Sequence, residues 1–464
     1  MDRRKFLKSG LATAGLIGSN LGFATGLDVV SNFINGSKSV GDYKTLVCVF
    51  LNGGADSVSL FVPTDSAGYE SYKNIRQNLA YEKDTIQPIY SRQDDLGEVG
   101  LPNFVSSFSE LFESEKLSVV SNVGPLREPT TLSMIQQNKN ILPPYMASHS
   151  DHQNLWQTGF VGVGERSGWG GRLIEAFDNS GAKVRNNISL MNTRKFVRGK
   201  SLNPFVVSAE NIKNLSRYVN WEDNSNLPLR DVFDRLTSGN SPSLDRSFIN
   251  IVNSTVNNNQ FLQSALAPVS SASVPYPTVG DSWGNTIDGG SIERFTSQLK
   301  RAAELIEVSP SLGHHRQVIY VHLNGFDTHD NQAVGFPRVM QLLADGMKAF
   351  QSDLETRGVD DRVVTFTQSE FGRTISINSN GTDHGWGGHQ FVMGTPVQGG
   401  QIIGALPEFA LGSSDIYQSA FIPQYSVEQY AANLSRWFGL SESDMLGIFP
   451  TYNRFDNVDF GLFS

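Results

Sequence analysis

Cysteine is almost absent from this chain of 464 residues, where Cys48 stands alone. A single thiol excludes an intramolecular disulfide and any Cys-rich zinc module. Basic charge is not in surplus either: 37 Lys and Arg face 46 Asp and Glu, for a net charge of −9. That balance excludes a broad electrostatic surface for nucleic acid. Apolar runs of membrane-spanning length are also missing, since the apolar stretch at 10–24 is short and broken by glycine. With 39% hydrophobic and 18% charged residues, 44 Gly and 19 Pro, the composition is globular with generous loops, not disordered, collagen-like or coiled-coil. The length suits two or three ordinary domains or one large α/β domain. Where thiolates are lacking, the eight histidines are the strong nitrogen ligands and near-neutral bases on offer.

The first residues read as an address. A basic start followed by a weakly apolar segment ending in small residues is the pattern of an export signal, expected over 1–24, with a linker at 25–43. Arg3-Arg4-Lys5-Phe6-Leu7-Lys8 resembles a twin-arginine signal, with Asp2 where Ser or Thr is usual. The resemblance implies the twin-arginine export machinery as a partner and a periplasmic destination reached already folded, which suits a protein that loads a metal in the cytoplasm. Cleavage after Ala24 and retention through an uncleaved signal are both compatible with it. The segment carries +3, so the remainder of the chain is at −12.

Short, continuous apolar runs at 45–51, 117–122, 204–208, 318–323 and 363–367 predict buried strands. Amphipathic stretches at 291–307, 336–355 and 427–438 lie among them. This alternation predicts an α/β domain over 44–464 with a mostly parallel, doubly wound sheet. The Asn- and Ser-rich stretch at about 211–285, with a helical fragment at 227–236, reads as a helical insertion or cap. Ligands of such sheets bind beyond the carboxyl ends of strands, and the unusual residues of this sequence stand there.

After the first run comes Asn52-Gly-Gly-Ala-Asp56-Ser57, which places Asp56 at the sheet edge, although a plain turn has the same form. After the fourth comes Gly325-Phe-Asp327-Thr-His329-Asp330, where Asp327 and His329 sit two apart as for one cation, the rival being helix capping. After the fifth, Glu370 is a candidate carboxylate ligand and Arg373 a candidate for an anionic substrate oxygen, the rival being a surface ion pair. In Gly381-Thr-Asp383-His384-Gly-Trp-Gly-Gly-His389, two histidines and an aspartate are spaced by glycines that allow wrapping around a metal. Ser148-His149-Ser150-Asp151-His152 offers Ser148 as a nucleophile with His149 beside it, and Ser150 or Asp151 equally as helix caps. Five of the eight histidines fall in these segments; His314, His315 and His322 read as structural. Together the segments predict a site for one or two divalent cations.

Taken in order, Arg3-Arg4-Lys5-Phe6-Leu7, Val49-Phe-Leu-Asn-Gly-Gly-Ala-Asp56, Ser148-His149, Gly168-Trp-Gly-Gly-Arg172, Gly325-Phe-Asp-Thr-His329, Ser369-Glu-Phe-Gly-Arg-Thr374 and Asp383-His384 resemble the bacterial domain-of-unknown-function family 1501. That family is similar in fold to the alkaline phosphatase and sulfatase superfamily, which implies a three-layer α/β/α sandwich with a metal site at strand ends. On this resemblance Asp56 matches the first-strand ligand, and Asp327 with His329 matches a paired metal position. Ser148, or else Ser150, falls in the nucleophile region. Glu370 stands where Asp-His-Gly is usual; Asp383-His384-Gly385 comes thirteen residues later, and His384 or His389 serves as the late histidine. The sulfatase nucleophile pattern, Cys or Ser before x-Pro-x-Arg, is absent, and Cys48 lies inside a strand, which argues against a formylglycine enzyme.

Three functions follow. The first is a periplasmic hydrolase of phosphate or sulfate esters that uses a serine nucleophile and divalent metal, whether Zn, Mn, Ca or Mg, on a small anionic ester or a polysaccharide-derived substrate. The second is a non-catalytic envelope binding or assembly protein that keeps the fold and a structural metal. A metal-independent Ser-His-Asp hydrolase ranks last, because no Gly-x-Ser-x-Gly elbow is present.

Overall fold

A computed structural model of the chain describes residues 43–92, 97–159, 164–177, 179, 181–210, 254, 257–278 and 289–463. The expected signal segment at 1–24 and the linker up to residue 42 lie outside the described residues, as does most of the expected insertion at 211–285. From that insertion 257–278 is described; it is helical over 257–266 and sends Leu262 and Tyr276 into the core.

In chain order the strands of the central sheet and of the hairpin at its edge are β1 (Lys44–Asn52), β2 (Leu117–Gly124), β3 (Asn187–Ser189), β4 (Phe205–Val206), β5 (Arg316–Asn324), β6 (Val363–Ser369), β7 (Arg373–Ile377), β8 (Thr382–His384), β9 (Gly388–Met393), β10 (Gln401–Ile403) and β11 (Tyr425–Ser426). β7 and β8 pair only with each other, while the central sheet has the order β10-β2-β9-β6-β1-β5-β3-β4, with β11 also on β2. Every ladder in the central sheet is parallel except those of β9, which runs antiparallel to both neighbours. The expected parallel sheet is therefore present, with one reversed strand inside it.

Alternation along β1 shows why these runs are strands. Val47, Val49 and Leu51 face one core, shared with Phe108 of α2 (Ser106–Glu113), Phe295 and Leu299 of α5 (Gly289–Glu307) and Leu343 and Met347 of α6 (Gln332–Thr356). Leu46, Cys48 and Phe50 face a second core with Trp156 of α3 (His149–Thr158), Trp169 and Leu173 of α4 (Trp169–Glu175) and Tyr430 and Leu434 of α7 (Val427–Phe438). Helices thus cover both faces. A strand buried on both sides needs a continuous apolar run, and each such side chain contributes about 1.5–3 kcal/mol on burial.

The register fixes where loops emerge. Asn52 lies opposite Asn324, and Leu51 opposite Ser369, so the segments after β1, β5 and β6 leave the same edge side by side. Gly53, at φ +121°, lets two of them touch: a Cβ there would stand 2.3 Å from the amide nitrogen of Asp327.

Candidate metal centre

Asp327 is the hub at this edge. Its Oδ2 lies 3.3 Å from His149 Nε2; its Oδ1 lies 3.2 Å from His329 Nε2 and 3.3 Å from His384 Nε2. The last two nitrogens are themselves 2.8 Å apart. Donor atoms of His149, Asp327 and His384 all fall within 4.8 Å of one another. Around a tetrahedral zinc with bonds of 2.0–2.1 Å, neighbouring donors stand about 3.3 Å apart, so His149, Asp327 and His384 offer a candidate three-residue site for a divalent cation, with His329 Nε2 beside Asp327 and His384.

The far sides of the three rings are equally ordered. His149 Nδ1 is 3.0 Å from Glu370 Oε1, His329 Nδ1 is 3.2 Å from Asp383 Oδ1, and His384 Nδ1 is 2.8 Å from the Ala147 carbonyl. An oxygen acceptor at Nδ1 favours the tautomer with the proton on that nitrogen, the form in which Nε2 can bind a metal. Ala147 adopts φ +63°, a costly conformation for a residue with a Cβ, at the peptide whose carbonyl holds His384.

Glu370 is wholly buried. Its Oε1 accepts from the Gly53 amide at 2.7 Å and Gln153 Nε2 at 3.2 Å as well as facing His149. Gln153 Nε2 also donates to Asn52 Oδ1 at 2.7 Å. Arg373 Nη1 donates to Asp327 Oδ1 at 2.9 Å and to the Gly53 carbonyl at 3.3 Å; its Nε and Nη2 donate to Thr382. Asn378 Nδ2 donates to Asp383 Oδ1 at 2.8 Å. Gly381 holds the β7–β8 hairpin against the Asp327 loop, since a Cβ there would stand 2.2 Å from the Thr328 carbonyl.

The electrostatics match this division. The Glu370 hydrogen bond raises the His149 imidazole against the opposing effect of burial. Partial burial pushes the Asp327 carboxyl up, but the hydrogen bond and charge of Arg373, with His149 and His329, outweigh it and hold the group below its ordinary value. Burial lowers His384, helped by the charges around it. The Asn378 hydrogen bond holds Asp383 down.

Several expected roles change. Glu370 and Asp383, expected as ligands, stand behind His149 and His329 as their acceptors. His149, expected beside a serine nucleophile, joins the donors. Arg373, expected on a substrate oxygen, is fully buried and turned onto Asp327 and Thr382. Asp56 is not brought to the cluster: its carboxylate pairs with Arg76 of α1 (Ser66–Arg76), both almost fully buried, and accepts from Gln332 Nε2 at 2.6 Å. His389 is also apart. It sits on β9 at a register irregularity, its Nδ1 takes the Asn122 amide at 3.0 Å where a ladder carbonyl is missing, and its ring is edge-on to Phe61. Ser148 donates to Asp151 Oδ2 at 2.6 Å, with Ser150 Oγ 3.5 Å away. Gln153, Ala147 and Asn378 escaped the sequence reading, since nothing in their spacing marks an outer partner.

The comparisons bear on these segments. Residues 310–444 match the family described as protein of unknown function (DUF1501). The matched stretch contains Asp327, His329, Glu370, Arg373, Asp383 and His384, and it supports over its own span the resemblance read from the motifs. No curated protein matches the sequence. Among solved structures, Ps i-CgsB in complex with k-i-k-neocarrahexaose is 8% identical with a TM-score of 0.35, over 89% of this chain and 76% of that one. The C-terminal periplasmic domain of EcEptC from Escherichia coli is 11% identical with a TM-score of 0.32, over 90% and 89%. Among the described residues no helix is long and apolar enough to cross a membrane.

Proposed function

We propose that the chain is a metal-dependent hydrolase of anionic esters, phosphate or sulfate, centred on a divalent cation held by His149, His329, His384 and Asp327. The observation that carries this reading is the convergence of three imidazole Nε2 atoms on one carboxylate, each with its Nδ1 facing an oxygen. A bound divalent cation supplies Lewis acidity toward an ester oxygen and eases deprotonation of water. Three imidazoles and one carboxylate suit zinc or a similar borderline ion; calcium and magnesium prefer oxygen donors. Arg373 keeps Asp327 ionised and aimed, and Glu370, anchored by the Gly53 amide and Gln153, orients His149. Asp327 and His149 remain 45% and 35% exposed, which leaves the centre open to a ligand.

A second reading keeps serine as the nucleophile, with Asp151 accepting the Ser148 proton; the 2.6 Å hydrogen bond between them favours it. The proposal extends to an alkaline-phosphatase-like three-layer architecture, supported by the parallel order and the strand-end cluster, and to twin-arginine export into the periplasm, supported by Arg3-Arg4.

The test is metal analysis of the purified full chain, then colorimetric phosphate- and sulfate-ester panels with added Zn, Mn, Ca or Mg. Bound metal that is lost in Asp327→Ala, together with ester cleavage lost in the same variant, is the expected result. Metal without cleavage of any ester returns the chain to the binding-protein reading, and absence of metal overturns the centre. Cleavage retained by Ser148→Ala decides against the serine.

A further inference from the structure

Asp56 stands off the cluster, yet a buried chain of hydrogen bonds leads from it to Asp327. Gln332, the first residue of α6, donates from Nε2 to Asp56 Oδ2 at 2.6 Å. Thr382 of β8 donates from Oγ1 to Gln332 Oε1 at 2.6 Å. Arg373 of β7 donates from Nε to that same Thr382 Oγ1 at 3.2 Å, and from Nη1 to Asp327 Oδ1 at 2.9 Å. From Asp56 to Arg373 no link is more than 3% exposed, so bulk water is not on hand to replace a lost partner. Asp327 itself is 45% exposed. Among the described residues Arg373 is the one side chain other than histidine that holds its carboxylate, so whatever fixes Arg373 fixes the hub.

Both ends of the chain dictate its direction. The Asp56 carboxylate, paired with Arg76, can only accept, and the Arg373 guanidinium can only donate. Gln332 must then turn its amide nitrogen toward Asp56 and its oxygen toward Thr382. Thr382, with a lone pair taken by Arg373 Nε, gives its hydroxyl hydrogen to that oxygen. A reversed amide would set oxygen against oxygen at Asp56. Thr328, next to Asp327 in the loop after β5, adds a second donor to Gln332 Oε1 at 3.1 Å. Arg76 also donates to the Thr374 and Ile375 carbonyls of β7, at 3.2 and 3.4 Å. The loops after β1 and β5 and the β7–β8 hairpin therefore meet on one amide and one ion pair.

We propose that Asp56, Gln332 and Thr382 are positioning residues for the candidate metal centre: the Asp56 carboxylate sets the polarity of the chain, and the chain holds the Arg373 fork so that Asp327 Oδ1 stays aimed among the imidazoles. Asp56, expected from the sequence as a ligand, thus acts on the centre through Arg373 and not by ligation. The effect on metal affinity rests on the metal-centre reading, whereas the hold on Arg373 does not.

Two readouts on the full chain test these statements separately, in Gln332→Met, in the near-isosteric Thr382→Val and in Thr382→Ser, which keeps the hydroxyl. In the chelator-treated chain, proton–nitrogen spectra with labelled arginine show the Arg373 Nε–H, assigned by its loss in Arg373→Lys. That signal is expected to shift, and to exchange with solvent about tenfold faster, in Gln332→Met and Thr382→Val, and to return toward its wild-type place in Thr382→Ser. Chelator competition with zinc is expected to show affinity down about tenfold in the first two variants and restored in Thr382→Ser. A signal unmoved in Gln332→Met and Thr382→Val overturns the chain. A moved signal with zinc affinity equal to wild type overturns the positioning role and leaves the centre standing. A moved signal, restored by serine, in a chain that binds no zinc supports the hold on Arg373 while removing the centre and with it the positioning of a metal.

Discussion

Three buried histidines outside the cluster make the fold acid-sensitive. Burial lowers His314 to about 4, His322 to about 3 and His389 to about 3, against an ordinary value of 6.5. Each is neutral when folded, and each binds a proton once the chain unfolds below its ordinary pKa. Stability from these groups is therefore complete above pH 6.5 and is lost as the pH falls toward the folded values. At pH 5 each has lost about 2 kcal/mol and the three together about 6 kcal/mol, comparable to the whole stability of many domains. Buried Glu428, raised by burial, works in the opposite sense and softens the slope. Urea midpoints followed by tryptophan fluorescence at pH 7, 6 and 5, in sulfate-free buffer with chelator, read the total. His322→Leu removes one of the three proton sinks, so its loss between pH 7 and 5 is expected to be about 2 kcal/mol smaller than that of wild type. A pH slope identical in the two proteins would refute the reasoning.

Other perturbations reach the centre and its supports. Arg76→Met leaves the Asp56 carboxylate buried without its partner and is expected to cost about 3–5 kcal/mol in denaturant unfolding; Arg76→Met with Asp56→Leu should regain much of that. Asp383→Asn keeps the shape but weakens the acceptor behind His329, so chelator competition should show metal affinity down by about 10–100-fold with an unchanged melting temperature. Gly53→Ala meets the Asp327 amide at 2.3 Å from a φ of +121°; a loss on the order of 1–3 kcal/mol in thermal melts is expected, along with weaker metal binding because the Asp327 loop must move.

How much of this was legible follows from what each residue does. The runs at 45–51, 318–323 and 363–367 became β1, β5 and β6 because a strand covered on both faces has no freedom to be polar. Their shared edge followed from the parallel order, which is why Asp327, His329 and His384 could be gathered from sequence alone. β9 was not legible: Gly388-His-Gln-Phe-Val-Met393 opens with polar residues, yet all six are buried. His389 and Gln390 stand there on internal partners, the Asn122 amide and the Thr367 hydroxyl, and such partners come from distant segments.

The same limit separates ligand from outer partner. Asp327 lies two residues from a histidine and Asp383 next to one, each in a glycine-containing stretch, and composition offers nothing to rank them. Geometry does: Asp327 faces three Nε2 atoms, whereas Asp383 touches only the Nδ1 side of His329 and is fixed there by Asn378. A carboxylate on Nδ1 raises the basicity of the nitrogen opposite without meeting the ion. Asp327→Ala should therefore abolish metal retention outright, while Asp383→Ala leaves a weakened but occupied centre. Metal analysis after gel filtration separates the two. Equal loss in both variants would make Asp383 a direct ligand and return the centre to the donor set expected from the sequence.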